Sequence, residues 1–527
     1  MPGLFSLLCA ASLCFPGNFP ASQGVDPQAR RIGKIEIIAN DVFENGKWAE
    51  FLAFRAANKL HIRTRENIIR QELLFSSGDP LDAEELAQSE RNLRALRFLR
   101  DARIETIPST REGEENEVVD LRVTTWDVWT TSPEISFAKV GNKSTSTLGF
   151  SESNLLGRGK RIEFSRRSNL ERDDTVVGFR DPRLAGSRFM LAGAFSDRSD
   201  GSGTTFELQR PFFSLETGWA LRLRQENFDQ VDPLYAAGER VGQLRHVRRL
   251  TEVGFSRALV RRPSSALRFH LGYRNQEDQV GGGLRDFGTM EVGVSSEEHR
   301  FIQLTHVNRF ERTEDFNLGR ESAAFVGVST PWLGGEQGTD LFFSLSHQRG
   351  FRLGPEHFFL GRVTWQARRR RDRLENSLAL ARLTYVNKLS ARRLLIATAE
   401  LRYGSRLDPE VQLTLGAESG LRGYPVHQWV GNRSLLVSAE KRWFLADDVG
   451  QLASFGVAAF VDSGFAWPEG QSLDLRDMKT NLGIGLLLGR NRLATGQPTL
   501  RFDLAYALDP VRDHGRWVFL TGSRIGL

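Results

Sequence analysis

The chain has 527 residues, 40% hydrophobic and 26% charged, with 50 Gly, 10 Trp and 2 Cys. No stretch approaches the roughly 18 uncharged apolar residues of a spanning helix, which excludes a helical membrane protein. A formal charge of +6, from 71 basic and 65 acidic residues, is too small an excess for a dedicated nucleic-acid binder, so no nucleic-acid partner is expected.

Cys9 and Cys14 lie in or beside an apolar run from Leu4 to Phe15, followed by small residues around Ala21 and Gly24. Residues 1–24 read as a secretory signal peptide. The mature chain then has no cysteine, hence no disulfide scaffold and no thiolate metal site.

Residues 31–126 read as a mixed α/β unit. Ile35, Ile37 and Ala39 mark a short strand, and Trp48, Phe51, Leu52 and Ala56 give 47–60 helical spacing. A second helix is predicted from Thr64 as N-cap, with Ile69 and Leu73 on one face. Asp82 followed by Glu85 forms a capping box for a third, striped by Leu86, Leu93 and Leu96. Strands are predicted at 102–107 and 117–124, joined by the charged turn 111–116.

After Trp126, period-two alternation continues to the last residue. In 453–467, Phe455, Val457, Ala459, Val461 and Phe465 share one face, opposite Gly456, Ala458, Asp462 and Gly464. Segments 434–444 and 500–508 behave alike, the first with Ser438, Glu440 and Arg442 on its polar face, the second with Arg501 and Asp503. Each is about as long as the 9 to 11 residues a tilted strand needs to cross a bilayer. A soluble sandwich or propeller would also alternate. The absence of a blade-length repeat, the shared register of small and charged residues and the signal peptide favour a membrane barrel, residues 131–527. Sixteen strands would allow about 25 residues each.

The segment 416–444 reads GAESGLRGYPVHQWVGNRSLLVSAEKRWF, and Leu421, Arg422, Gly423 and Tyr424 resemble the (V/I/L)-R-G-(F/Y) signature of the BamA/TamA superfamily of outer-membrane insertion and translocation barrels. Phe460, Asp462 and Gly464 resemble its F-x-D-x-G strand motif, and Glu440 its acidic position on the strand between. The resemblance implies a loop folded into the barrel, with Arg422 pairing with Asp462 and Glu440 as a further lumen partner. The alternation independently puts both carboxylates on the lumen register, where a guanidinium fork suits them.

The resemblance extends along nearly the whole mature chain. Residues 31–126 resemble one polypeptide-transport-associated (POTRA) domain. Residues 154–159 (NLLGRG), 181–184 (DPRL) and 210–213 (RPFF) resemble the turns between early strands, as ordinary turn chemistry also explains. Gly522, Ile525 and Leu527 resemble the terminal β-signal, although Leu527 departs from its commonest ending. The fold class implied is an α+β POTRA domain followed by an all-β transmembrane barrel of about 16 antiparallel strands. One POTRA domain, with 47–60 as an insertion, implies a chain other than the principal insertase.

There is no H-E-x-x-H, no G-x-S-x-G and no metal-ligand cluster in the sequence, so no enzyme activity, metal or cofactor is expected. The basic run Arg368 to Arg371 reads as a solvated turn or lumen rim. The function implied is to assist insertion or translocation of other polypeptides in a Gram-negative outer membrane, with the N-terminal domain in the periplasm. Expected partners are outer-membrane lipid and lipopolysaccharide, unfolded client polypeptides, and assembly partners on the POTRA domain. The alternatives are a two-partner secretion transporter and a passive channel. Candidate seam strands are 134–140 and 517–527.

Overall fold

A computed structural model describes residues 30–43, 52–108, 118–140, 143–169, 171–336, 338–494, 499–509, 511 and 514–522. The signal segment 1–24, the start of the helix predicted at 47–60, the turn 111–116, and Ile525 and Leu527 lie outside them.

The N-terminal unit comprises three helices, α1 (Leu52–Leu60), α2 (Glu66–Arg70) and α3 (Ala83–Ala95), and a sheet of β1 (Arg31–Asn40), β2 (Leu99–Pro108) and β3 (Val118–Asp127). β3 is central, parallel to β1 and antiparallel to β2. α3 starts where the sequence predicts: the Asp82 carboxylate accepts from the backbone N–H groups of Glu84 and Glu85 at 2.7 and 3.4 Å, satisfying donors the first turn leaves open. Ile69, Leu93, Leu99 and Leu121 are fully buried between helices and sheet. Thr64 is not the N-cap of α2. That position belongs to Arg65, which makes no side-chain cap, and the Thr64 hydroxyl donates to Asp127 instead.

From Thr131 onward the strands form one large antiparallel sheet. Its order names twenty strands among the described residues, with Thr131–Val140 and Trp517–Gly522 side by side. That exceeds the expected count of about 16. Two-residue connections such as 237–238, 263–264 and 391–392 leave more of the chain for strands than the sequence arithmetic allowed.

The two faces differ as alternation requires. Phe150, Phe164, Val177 and Phe195 stand opposite one another in successive ladders, each 46 to 53% exposed, and the same outer face carries Phe255, Leu271, Val292 and Val363. A continuous apolar band of this extent marks a surface made for something other than water. Trp219–Ala236 and Glu239–Arg262, 18 and 24 residues long, run past it. Beyond the band their outer face turns polar, carrying Arg245 paired with Asp229.

The N-terminal unit meets the sheet at one end, through the turns at 156–159, 182–189 and 211–218. Two long connections fold inward. Residues 299–320, at the N-terminal-unit end, hold the pair Phe301–Leu304 and Glu314–Asn317; residues 406–432, at the opposite end, hold Leu413–Leu415 and Trp429–Gly431.

Candidate functional site

The strands Arg433–Val449, Ala453–Trp467, Lys479–Gly489 and Thr499–Ala507 form the wall of the site. Register puts Ser438, Asp462 and Asn481 in one inward row, because each faces the next across its ladder. Asp462 is fully buried, and its carboxylate accepts from Ser438 Oγ at 2.7 Å and Asn481 Nδ2 at 2.9 Å. The next inward row contains Glu440, Phe460 and Gly483. A Cβ on Gly483 would stand 2.1 Å from the Phe460 ring, so that ring lies where only glycine leaves space.

Against this wall the 406–432 loop lays its tip. Arg422 donates through Nε and Nη2 to the two oxygens of Asp462 at 2.8 and 2.7 Å, and through Nη1 to Glu440 at 2.8 Å. Its guanidinium carbon lies 3.4 Å from the centroid of Phe460, which adds cation–π attraction in a dehydrated setting. Leu421 and Tyr424 are fully buried, and the Tyr424 hydroxyl donates to the Thr480 carbonyl at 2.7 Å. At Gly423 a Cβ would meet Asn481 Cβ at 2.4 Å, so the close approach of loop to wall requires glycine. Gly464 plays the same part beneath the loop, where a Cβ would face the Leu435 carbonyl at 2.8 Å and Leu415 at 3.4 Å. The far side of the loop reaches across to the 219–262 strands: Gly238 N–H donates to the His427 carbonyl, and the His427 ring stacks on Tyr235 at 4.0 Å.

The residues singled out from the sequence are thus brought together: Leu421 to Tyr424 on the loop, Glu440, Phe460, Asp462 and Gly464 on the wall. Sequence reasoning missed three further charges. Arg442 donates to Glu440 at 2.6 Å; Arg501 donates to Glu440 at 2.7 and 2.6 Å and to Asp503 at 2.7 and 2.6 Å. Three guanidinium groups therefore face three carboxylates. Arg501 and Asp503 stand on the inward face that alternation assigns to 500–508, and Arg442 is two residues from Glu440, so register was the signal that could have found them. Gly522 lies in the last strand, opposite Arg501; Ile525 and Leu527 are outside the described residues.

The basic run is resolved differently from a solvated turn. Arg368 and Arg370 belong to the strand His357–Arg370, the first buried against Asp408 at 2.9 Å and the second bound to Asp340 at 3.0 Å, and only Arg371 enters the turn. The three turn motifs carry more than turn chemistry, since all hold the N-terminal unit. Asn154 Nδ2 donates to Thr64 Oγ1 at 2.9 Å, and Thr64 donates through N–H and hydroxyl to buried Asp127 at 2.7 and 3.1 Å. Arg183 Nε donates to Glu72 at 2.7 Å, and Asn92 donates to the Phe213 carbonyl at 3.5 Å.

No family model matches the chain. Two curated relatives do. Over 205 residues, 35% of this chain and 25% of the relative, it is 24% identical to the outer membrane protein assembly factor BamA of Nitratidesulfovibrio vulgaris. Over 130 residues, 24% of this chain and 15% of the relative, it is 26% identical to a putative outer membrane protein assembly factor of Treponema pallidum. The matches therefore span a quarter or less of those relatives' length. Among solved structures, CdiB from Acinetobacter baumannii is similar with TM-score 0.47 and 14% identity, covering 94% of this chain and 73% of that one. BamA from Haemophilus ducreyi lacking POTRA domains 1–3 gives TM-score 0.40 and 13% identity, covering 94% and 84%. The curated relatives bear out the resemblance to the BamA/TamA superfamily.

Proposed function

We propose that the chain is an outer-membrane barrel that assists the insertion or translocation of other polypeptides, with residues 31–126 as a periplasmic POTRA domain. One observation supports this above all: a loop locked into the interior by Arg422, inside a sheet whose outer face is an apolar band. Lipid can cover that band only if no sheet edge is left open, so on this reading the sheet closes by pairing of Thr131–Val140 with Trp517–Gly522, which lie side by side. On this reading the seam between these two strands is the place where the wall opens. A client strand can pair with such an edge, or add to an edge of the N-terminal sheet, by backbone hydrogen bonding alone. The outer band meets lipid and lipopolysaccharide, and the N-terminal unit offers its sheet to clients or assembly partners. No cofactor enters this mechanism, because strand pairing and burial in lipid drive it.

The test is depletion of the protein, followed by quantification of outer-membrane and secreted proteins. Loss of a defined set of outer-membrane barrels is the expected result. An intact outer-membrane profile with loss of one large secreted polypeptide would assign the chain to two-partner secretion, and no change in either would leave a passive channel.

A further inference from the structure

The connection 299–320 joins two neighbouring antiparallel strands, Gly283–Glu298 and Glu321–Ser329, a task that two residues perform at 263–264 and 391–392 on the same end of the sheet. A connection this much longer, ordered by its own two-stranded pair, is expected to have a use of its own. It folds into the interior. Val307 and Phe310 at its tip are fully buried against Phe358, Leu394, Phe444 and Leu487, side chains from four different strands. The wall is shaped to receive them: a Cβ on Gly489 would stand 2.3 Å from the Phe310 ring, and one on Gly350 2.5 Å from Leu318.

Polar contacts fix the hairpin from two sides. From the wall, Arg442 Nη1 donates to the Val307 carbonyl at 2.7 Å, Lys388 Nζ donates to the Thr305 carbonyl at 2.6 Å, and His306 lies 3.0 Å from Asp447. From the N-terminal unit, Arg94 donates to both oxygens of Asp315 at 2.9 and 2.7 Å, and Arg312 returns a bond to the Leu99 carbonyl at 2.6 Å. The hairpin's own turn is closed by Glu314, whose carboxylate accepts from the N–H groups of Val307, Asn308 and Arg309 at 2.8 to 3.2 Å. Arg442 also bonds Glu440, the partner of Arg422, so one guanidinium serves the loop from one end and the hairpin from the other.

We propose that the Phe301–Asn317 hairpin is a resident stopper. It fills the interior at the N-terminal-unit end, latched to that unit by Arg94 and Asp315, and any polypeptide or ion crossing the interior has to displace it. The apolar tip seals by packing, while the Arg94 fork makes the seal depend on where the N-terminal unit sits. This inference rests on the barrel reading above.

Planar-bilayer recording on the refolded full chain tests it, with heat-modifiable gel migration measured on every protein. The variants are replacement of residues 303–315 by a short Gly-Ser linker, the point variant Phe310→Ser, and Asp315→Arg, which sets like charge against Arg94. Wild type is expected to be mostly closed. The linker variant should raise mean conductance at least fivefold, Phe310→Ser severalfold, and Asp315→Arg should raise opening frequency without changing the open level much. If the linker variant does not refold, the two point variants decide. A heat-modifiable wild type and heat-modifiable variants with the same conductance would overturn the stopper. A wild type that is not heat-modifiable would overturn the barrel reading instead.

Discussion

At Arg422 the balance of charge decides what a substitution does. Its side chain is 14% exposed and faces Asp462, which is fully buried, so removing Arg422 leaves Asp462 without a counter-charge, at about 3 to 5 kcal/mol for a pair out of contact with water, whereas removing Asp462 leaves Arg422 its bond to Glu440. The two losses differ in kind. Asp462 keeps donors from Ser438 and Asn481 when Arg422 is gone, whereas Glu440 keeps Arg442 and Arg501. Arg422→Ala and Asp462→Ala should each expose the loop to protease near Gly423, and the double variant should be cut less than the two effects added. Lys at 422 should rescue poorly, since one ammonium cannot reproduce a fork that reaches Asp462 twice and Glu440 once. Cleavage of wild type as readily as of Arg422→Ala would place the loop outside. Gly423→Ala offers a check that involves no charge: its methyl has no space beside Asn481, so the same cleavage should rise.

At the scale of elements, β3 is joined to the sheet by a relay from Asp127 through Thr64 to Asn154, and on to the Gly159 N–H at 2.6 Å. Burial pushes the Asp127 carboxyl up to about 7, and it pulls the nearby His61 imidazole down from its ordinary value. A carboxyl raised in the folded state contributes stability that is complete below its unfolded pKa of about 3.9 and is lost as pH rises through about 7. His61, depressed, acts in the opposite sense, contributing above about 6.5 and losing that contribution as pH falls. Asp127→Asn keeps an oxygen for Thr64 and removes the ionisation. It should match wild type only below about pH 4, already exceed it by about 1 to 2 kcal/mol near pH 5, and exceed it at pH 8 by at most about 4 kcal/mol for a three-unit shift. Urea-dependent pulse proteolysis of the N-terminal unit within the detergent-solubilised full chain would measure this, and identical pH dependence in the two proteins would remove Asp127 as the titrating group. The same relay explains why Thr64 was misread as a helix cap. A threonine before a helical stripe is a local signal, and the competing bond to Asp127 comes from 63 residues away.

For the whole molecule, the apolar band predicts fractionation with the outer membrane and heat-modifiable migration on gels; recovery as a soluble periplasmic species would refute the barrel. The N-terminal unit has its own core, with Ile69, Leu93, Leu99 and Leu121 fully buried, so a fragment of residues 31–126 should give a mixed α/β circular dichroism spectrum in water. A coil spectrum would mean that its fold depends on the sheet it docks against.

Alternation by itself determined which face of Ala453–Trp467 and Thr499–Ala507 turns inward, because side-chain direction in a strand has period two and needs no partner to be read. The motifs on that register then placed Arg422, Glu440 and Asp462 together, and the capping pattern at Asp82 fixed the start of α3. Only the tertiary structure decided the rest. The strand count depended on how tightly each connection turns, and the inward fold of 299–320 depended on glycines at 350 and 489 that lie far from it in sequence. Contacts of that kind link residues whose neighbours carry no trace of one another, so no local pattern could have announced them.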